Sequence, residues 1–293
     1  MSRTATRVDE AQAKARVLAE ALPYIRRWAG KTVVVKVGGE TLEEERRLEL
    51  LANDLVLLRF VGMNPVVVHG GGPQISETMR RLGMEPAFRD GRRVTDAETI
   101  KVVKMVLLGE VNPRIVAAMN SSGGRAAGIS GEDGRLIEVR RALGPNREDL
   151  GFVGEVERVN PSILEGLVQD DFIPVVAPVG SGPDGSYNIN ADLAAGAVAA
   201  AIGATKLVFL TNVPGLYRDL GDEGSLISEV TVEQCRALVE SGSLSEGMIP
   251  KITSVIAALE AGVPQAHILD GRVEHALLLE IFTDEGVGTM VLP

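Results

Sequence analysis

The stretch Val33-Val34-Val35-Lys36-Val37-Gly38-Gly39 restricts the fold more than any other part of this chain. A β-branched run with no apolar–polar alternation is the pattern of a strand covered on both faces, as in a parallel sheet. The runs Thr32–Lys36, Pro65–Val68, Arg125–Ile129, Phe172–Val176, Lys206–Leu210 and Gln265–Leu269 read as strands, several of them apolar throughout. Between the first two, Leu48, Leu51, Leu55 and Leu58 recur at helical spacing. This predicts a strand–helix–strand unit with a right-handed crossover, and an α/β class for the chain.

Other segments are organised differently. Across 133–158, Asp133-Gly134, Leu136-Ile137-Glu138-Val139 and Phe152-Val153-Gly154-Glu155-Val156 predict an antiparallel hairpin with a long tip loop. The turn cluster Gly180-Ser181-Gly182-Pro183-Asp184-Gly185 sets a lobe boundary, giving lobes 31–180 and 181–293 that share one sheet. Residues 1–30 form a separate N-terminal helical feature, whose seam is Val8, Ala11, Ala15, Leu18, Leu22 and Ile25. Pro23 predicts a kink or a break in it, because the ring clashes with the carbonyl four residues back. The seam fits equally a helix packed on another helix and one folded onto its own domain.

Composition excludes several functions. A net charge of −10 with only 3% aromatic residues argues against a nucleic-acid surface, which needs basic stripes or stacking platforms. No apolar stretch reaches the length of a membrane span, and no targeting segment is evident, so a cytoplasmic, membrane-free protein is expected. The single cysteine, Cys235, lies in a helical pattern and reads as a semi-buried thiol.

A chain this acidic that binds a polyphosphate must concentrate positive charge locally, and two lysines beside glycine-rich backbone can do so: Lys36, and Lys251 in Glu246-Gly247-Met248-Ile249-Pro250-Lys251. The loop His69-Gly70-Gly71-Gly72-Pro73-Gln74 follows a strand and precedes a helix starting near Pro73. Consecutive glycines let a ligand oxygen reach main-chain N–H groups, and the helix end adds partial positive charge. Both glycine loops fall at the carboxyl ends of strands, where open α/β sheets bind ligands. Two other phosphate motifs fail. Gly30-Lys31-Thr32 resembles the tail of a P-loop, but Ile25 stands where its first glycine belongs and a strand follows. The 180–185 segment has dinucleotide-fingerprint spacing, yet Pro183 denies it the helix that the fingerprint requires.

Asn188, Asn190 and Asp192 precede a helix so rich in Ala and Gly that it must be closely packed. Asp192 reads equally as an acid complementing the helix dipole and as part of a binding site. Arg92 and Arg93 are both able to clamp a carboxylate, and spacing does not choose between them. The three histidines, His69, His267 and His275, lack metal-ligand spacing, and no metal site is expected of the protein.

In order along the chain, Lys36-Val37-Gly38-Gly39, Val68-His69-Gly70-Gly71-Gly72-Pro73-Gln74, Arg93-Val94-Thr95-Asp96, Gly151-Phe152-Val153-Gly154-Glu155-Val156, Asn188-Ile189-Asn190-Ala191-Asp192, Gly247-Met248-Ile249-Pro250-Lys251 and Glu280-Ile281-Phe282-Thr283-Asp284-Glu285-Gly286 resemble the N-acetylglutamate kinases of the amino-acid kinase superfamily. The resemblance runs from about Tyr24 to Met290. It implies an open three-layer αβα sandwich with a mostly parallel central sheet, an N-terminal lobe for N-acetyl-L-glutamate and a C-terminal lobe for ATP with Mg2+ held mainly through ATP. It also implies transfer of the γ-phosphoryl group to the side-chain carboxylate, within arginine biosynthesis. By the same resemblance Lys36 and Lys251 flank the phosphoryl group, Asp192 orients both, and Gly71 and Gly72 offer N–H groups. Arg93 and Asn188 hold the α-carboxylate. Gly38, Gly39, Thr211, Asn212 and Gly215 belong to the nucleotide side.

The chain departs from the family pattern at Asn212, where Asp is usual, and at Glu246 and Glu40, which add negative charge beside the expected phosphate site. The N-terminal helix resembles that of arginine-inhibited members, where such helices interlace homodimers into a hexamer. That likeness implies an L-arginine pocket near Tyr24, His267, Glu280 and Gly286. Two alternatives are a superfamily kinase for glutamate, aspartate or carbamate, and a catalytically silent arginine or nucleotide sensor. Too little chain follows Lys251 for the appended domains of aspartate kinases, and retention of Lys36, Asp192 and Lys251 speaks against a silent sensor.

Overall fold

The computed structural model describes residues 3–89, 91–144, 146–218, 221–242, 244, 247–284 and 286–293, and the side chains of these outside 3–11, 13, 14, 40 and 223. Glu246 therefore lies outside the described residues, as does the side chain of Glu40. The first part of the chain forms α1 (Arg3–Trp28), β1 (Thr32–Val37), α2 (Glu45–Phe60), β2 (Asn64–His69), α3 (Gly72–Arg81), the short pair β3 (Phe88–Arg89) and β4 (Arg92–Arg93), α4 (Ala97–Val106), α5 (Asn112–Ser121) and β5 (Ala126–Ser130). Next come β6 (Ile137–Leu143), β7 (Asp149–Val159), α6 (Ser162–Gln169), β8 (Ile173–Ala177), β9 (Val179–Gly182) and β10 (Gly185–Ile189). The last part holds α7 (Ala191–Ala201), β11 (Lys206–Thr211), β12 (Leu216–Tyr217), β13 (Leu226–Ile227), β14 (Glu229–Thr231), α8 (Val232–Glu240), α9 (Ile249–Glu260), β15 (Ala266–Asp270), α10 (Ala276–Phe282) and β16 (Gly288–Leu292).

One eight-stranded sheet, in the order β14-β16-β15-β11-β1-β2-β8-β5, runs through the whole molecule. All its pairings are parallel except β15 with β16. Strand periodicity divides the core. Val33, Val35 and Val37 of β1 face one apolar layer with α2, α3, α4, α5 and α10, whereas Val34 faces the other with α6, α7, α8 and α9. Side chains of a strand alternate between faces, so an uninterrupted valine run serves both layers at once. The predicted αβα sandwich and all six predicted strands are present, each within a residue or two of its expected ends.

The hairpin expected in 133–158 is β6–β7, and it closes with β9 and β10 into a small four-stranded barrel. The expected boundary between residues 180 and 181 thus falls inside β9. The 180–185 turn cluster folds back as the β9–β10 hairpin and pairs with the preceding lobe, because β10 lies parallel to β7. Pro23 does not break α1, which runs from Arg3 to Trp28 with the proline inside it. Proline removes a single helical N–H donor, and the turns on either side keep the others. Cys235 is fully buried rather than semi-buried, and burial pushes its thiol up to about 11. No helix among the described residues is long and apolar enough to cross a membrane.

Candidate active site

The central strands bring the two glycine loops side by side. Lys36 of β1 pairs in register with Val68 of β2 and Phe209 of β11, so both loops leave the same edge of the sheet. Neither Gly39 nor Gly71 has room for a side chain. A Cβ at Gly39 would lie 2.8 Å from Pro73 Cδ, and one at Gly71 would lie 2.6 Å from Leu107 Cδ2. Gly71 precedes the first turn of α3, which contains Pro73, and main-chain N–H groups there have no helical acceptor. His69 beneath the loop is neutral, because burial pushes it down to about 4. Its Nδ1–H donates to the Gly70 carbonyl at 2.9 Å, while Nε2 accepts from Asn112 Nδ2 at 3.1 Å. It is a hydrogen-bonded core histidine, as its sequence context predicts.

Opposite the loops stands a carboxylate between two ammonium groups. Lys36 Nζ lies 2.8 Å from Asp192 Oδ1, and Lys251 Nζ lies 3.3 Å from Asp192 Oδ2. Asp192 sits in the first turn of α7, where the Asn190 side chain caps the helix by accepting from the Asp192 and Leu193 N–H groups. Asn190 thus caps the helix and also lines the cavity described below. Burial alone would raise the Asp192 carboxyl, but Lys36 and then Lys251 outweigh it and hold the group below the usual carboxylate range. The acid stays ionised and spaces the two cations.

Lys251 reaches Asp192 because α7 and α9 pack with almost nothing between them. A Cβ at Gly196 would stand 2.7 Å from Ser254 Oγ and 3.1 Å from its carbonyl, and Ser254 Oγ itself donates to the Asp192 carbonyl. A Gly196→Val substitution is expected to push α9 outward and lower turnover roughly a hundredfold, as displacements near 1 Å at a reacting centre do. Steady-state kinetics beside a melting curve check this; unchanged turnover with lowered stability would limit Gly196 to packing.

Facing this clamp is a cavity of about 230 Å³, lined by Lys36, Gly39, Gly71, Gly72 and Asp192 on one side and by Arg93 and Asn188 on the other. Arg93 is 6% exposed and donates to the Gly72 carbonyl at 2.9 Å and Ser76 Oγ at 2.7 Å, with its plane 4.7 Å over the Phe88 ring. Burial pushes its guanidinium down to about 10, still charged at neutral pH. Arg92 lines the same cavity but is half-buried. Leu107, Val153 and Ile189 add an apolar wall. Sequence reasoning passed over Thr95, Gly196 and Ser254, whose contribution is contact with other site residues rather than charge.

Thr211, Asn212 and Gly215 stand apart from that cavity, Thr211 as the last residue of β11, the strand beside β1, and the other two in the loop that follows. Thr211 is buried and its Oγ1 accepts from the Val213 N–H at 2.9 Å, whereas Asn212 is exposed. Gly38 lies nearby, its Cβ position 3.4 Å from the Leu210 carbonyl. Among the described residues no three His, Cys, Asp or Glu side chains converge on a metal position.

A second cavity of about 360 Å³ opens at the end of α1, with Tyr24, Glu280 and Gly286 in its lining. Beneath it, Glu280 Oε1 lies 2.8 Å from His267 Nδ1 and 3.1 Å from Lys206 Nζ, and Lys206 Nζ sits 4.8 Å over the Trp28 ring. His267 is in this buried cluster rather than in the cavity wall. Burial lowers both the His267 imidazole and the Lys206 ammonium; Glu280 is held low because His267 and Lys206 outweigh its own burial.

Residues 31–270 match the model of the amino acid kinase family. The chain is 51% identical to the acetylglutamate kinase of Moorella thermoacetica over 96% of this chain and 97% of that protein. It is 52% identical to the acetylglutamate kinase of Nitrosospira multiformis over the same shares. Among solved structures, the N-acetylglutamate synthase of Neisseria gonorrhoeae complexed with coenzyme A and N-acetyl-glutamate superposes with a TM-score of 0.84 at 29% identity, over 95% of this chain and 63% of that one. The same synthase has been solved with coenzyme A and L-arginine, with a TM-score of 0.82 at 29% identity, over 95% of this chain and 65% of that one. Giardia carbamate kinase shares the fold, with a TM-score of 0.65 at 16% identity over 90% of this chain and 99% of that one.

Proposed function

The chain belongs to the amino acid kinase family, and from that premise we propose that Lys36, Lys251 and Asp192 carry out its phosphoryl transfer. The reaction is the ATP-dependent phosphorylation of N-acetyl-L-glutamate in arginine biosynthesis, as in its half-identical relatives. The observation that carries the proposal is the clamp itself, two ammonium groups within 2.8 and 3.3 Å of one buried carboxylate at the edge of the glycine loops.

An oxygen of the substrate's side-chain carboxylate attacks the γ-phosphorus in line, the bond to the bridging oxygen breaks, and ADP leaves with that electron pair. A carboxylate is already ionised at neutral pH, so no general base is required. Charge on the migrating group is what the protein must offset, and Lys36 and Lys251 do this with the Gly71 and Gly72 N–H groups. Arg93 and Asn188 take the α-carboxylate. A neutral acyl-amine suits the remaining wall better than an ammonium does, because Leu107, Val153 and Ile189 are apolar and the lining acids Asp192 and Glu155 are already paired. Gly38, Gly39, Thr211, Asn212 and Gly215 border the nucleotide. With Asp192 held between ammonium groups, the residues present fit a Mg2+ carried by ATP oxygens and water rather than by a protein cage. Bound there, the metal neutralises phosphate charge.

Assayed with hydroxylamine to trap the acyl phosphate, N-acetylglutamate is expected to turn over at least about a hundredfold faster than glutamate or aspartate, since a site built for one polar pattern rejects others strongly. Fastest turnover with glutamate itself would reject the substrate assignment. The second cavity supports inhibition by L-arginine, a cation for which Asp284 and Glu229 supply acids and Tyr24 a ring. We further assign the enzyme to the cytoplasm and to an assembly of homodimers joined through α1.

A further inference from the structure

We propose that Thr95 is a positioning residue that fixes the amide of Asn188 in the one orientation able to donate to the substrate's α-carboxylate; this rests on the reading of Asn188 and Arg93 given above. Thr95 is fully buried, on the segment that links β4 to α4, and it touches both ligands without reaching the cavity. Its Oγ1–H donates to the Arg93 carbonyl at 2.9 Å, and Oγ1 accepts from Asn188 Nδ2 at 3.2 Å.

Those two bonds have a fixed polarity. A hydroxyl has one proton, and the Arg93 carbonyl, a pure acceptor, takes it. Only lone pairs then face Asn188, which must answer with its NH2 group rather than its carbonyl oxygen. One Asn188 N–H is used by Thr95, and the second remains for an acceptor in the cavity that Asn188 lines. A flipped amide would set its oxygen against the Thr95 lone pairs and against an incoming carboxylate, and both contacts would be repulsive.

The threonine is itself held from outside. Its N–H donates to the Leu150 carbonyl at 2.9 Å, and its carbonyl accepts from the Phe152 N–H at 2.6 Å. Gly151 between them has φ +75°, and a Cβ there would lie 2.2 Å from the Thr95 carbonyl oxygen. Asn188 pairs with Val153 of the same strand. The β7 strand thus holds both Thr95 and Asn188, and the hydroxyl sets the sense of the bond between them.

Thr95→Val keeps the shape and removes the hydroxyl, whereas Thr95→Ser keeps the hydroxyl. Thr95→Val is expected to raise KM for N-acetylglutamate roughly tenfold, the loss of a hydrogen bond to a charged group. KM for ATP and kcat should stay within about twofold. Thr95→Ser should recover most of the affinity, and Thr95→Val should add nothing to Asn188→Ala, since both remove the same bond. An unchanged KM in Thr95→Val, a serine variant as poor as the valine one, or effects that multiply in the double variant would each overturn the proposal. An Asn188→Ala enzyme with normal KM would instead reject the assignment of the carboxylate to Asn188, and the proposal with it.

Discussion

Lys36→Ala and Lys251→Ala are each expected to lower kcat about a thousandfold, while the melting temperature falls by only a few degrees. The two lysines share one acid, and this separates activity from stability. Removing a partner from a buried ion pair ordinarily leaves an uncompensated charge and costs about 3–5 kcal/mol. Here Asp192 keeps the other ammonium within 3.3 Å or 2.8 Å, so neither substitution orphans it. The transition state has no such reserve if, as proposed, both cations act on the phosphoryl oxygens. Loss of one preorganised charge costs about 10²–10³ in turnover, and more where the reacting group is a phosphoryl. KM for both substrates should change far less than kcat, the mark of an interaction strongest in the transition state. Variants that lose folding stability in proportion to activity would show the lysines to be structural.

Removal of residues 1–22 is expected to reduce the mass of the particle about threefold, from a hexamer to a dimer, with turnover retained and sensitivity to L-arginine lost. Val17, Leu18 and Leu22 of α1 are 65%, 72% and 46% exposed, three large apolar side chains left in water by this chain alone. The far end of the same helix is rooted, with Trp28 only 6% exposed and stacked beneath Lys206. A helix anchored at one end and apolar where it projects is suited to pack on another copy. It is also the wall of the second cavity through Tyr24, so a ligand there would bind two arrangements of α1 unequally. Cutting at 22 spares Tyr24 and Trp28, which isolates the projecting part. Sedimentation of the truncated protein decides it: an unchanged particle would exclude α1 as the joint.

The sandwich was legible because its strands are apolar on both faces, the pattern of a parallel sheet covered by helices on each side, although such uniform runs do not by themselves fix the register. Lys36 and Gly71 stood out as candidates because charge or a missing side chain at the end of a strand has few structural uses, whereas Arg93 and Asp192 were marked out only by the family resemblance. The barrel was only half legible. β6 and β7 carry a hairpin pattern, but β9 and β10 are short and glycine-rich, and nothing local in Val179–Gly182 indicates that it pairs with a strand forty residues earlier. Pro23 does not end the helix, because its neighbours keep the remaining helical hydrogen bonds. Thr95 was quoted within its motif and assigned no role, since a buried hydroxyl declares itself only through what it touches. Ser254 and Gly196 are silent in the same way; their importance lies in the distance between two helices.

β1 lies between β11 of the later half and β2 of the earlier one, so the strand that bears Lys36 is encoded far from most of the strands it completes. The later half is consequently not a portable module. Cut loose, it would bare the whole hydrogen-bonding edge of β11, an invitation to sticky self-association. Gene fusions, shuffling and domain grafts would therefore have to carry β1 together with the strands it completes.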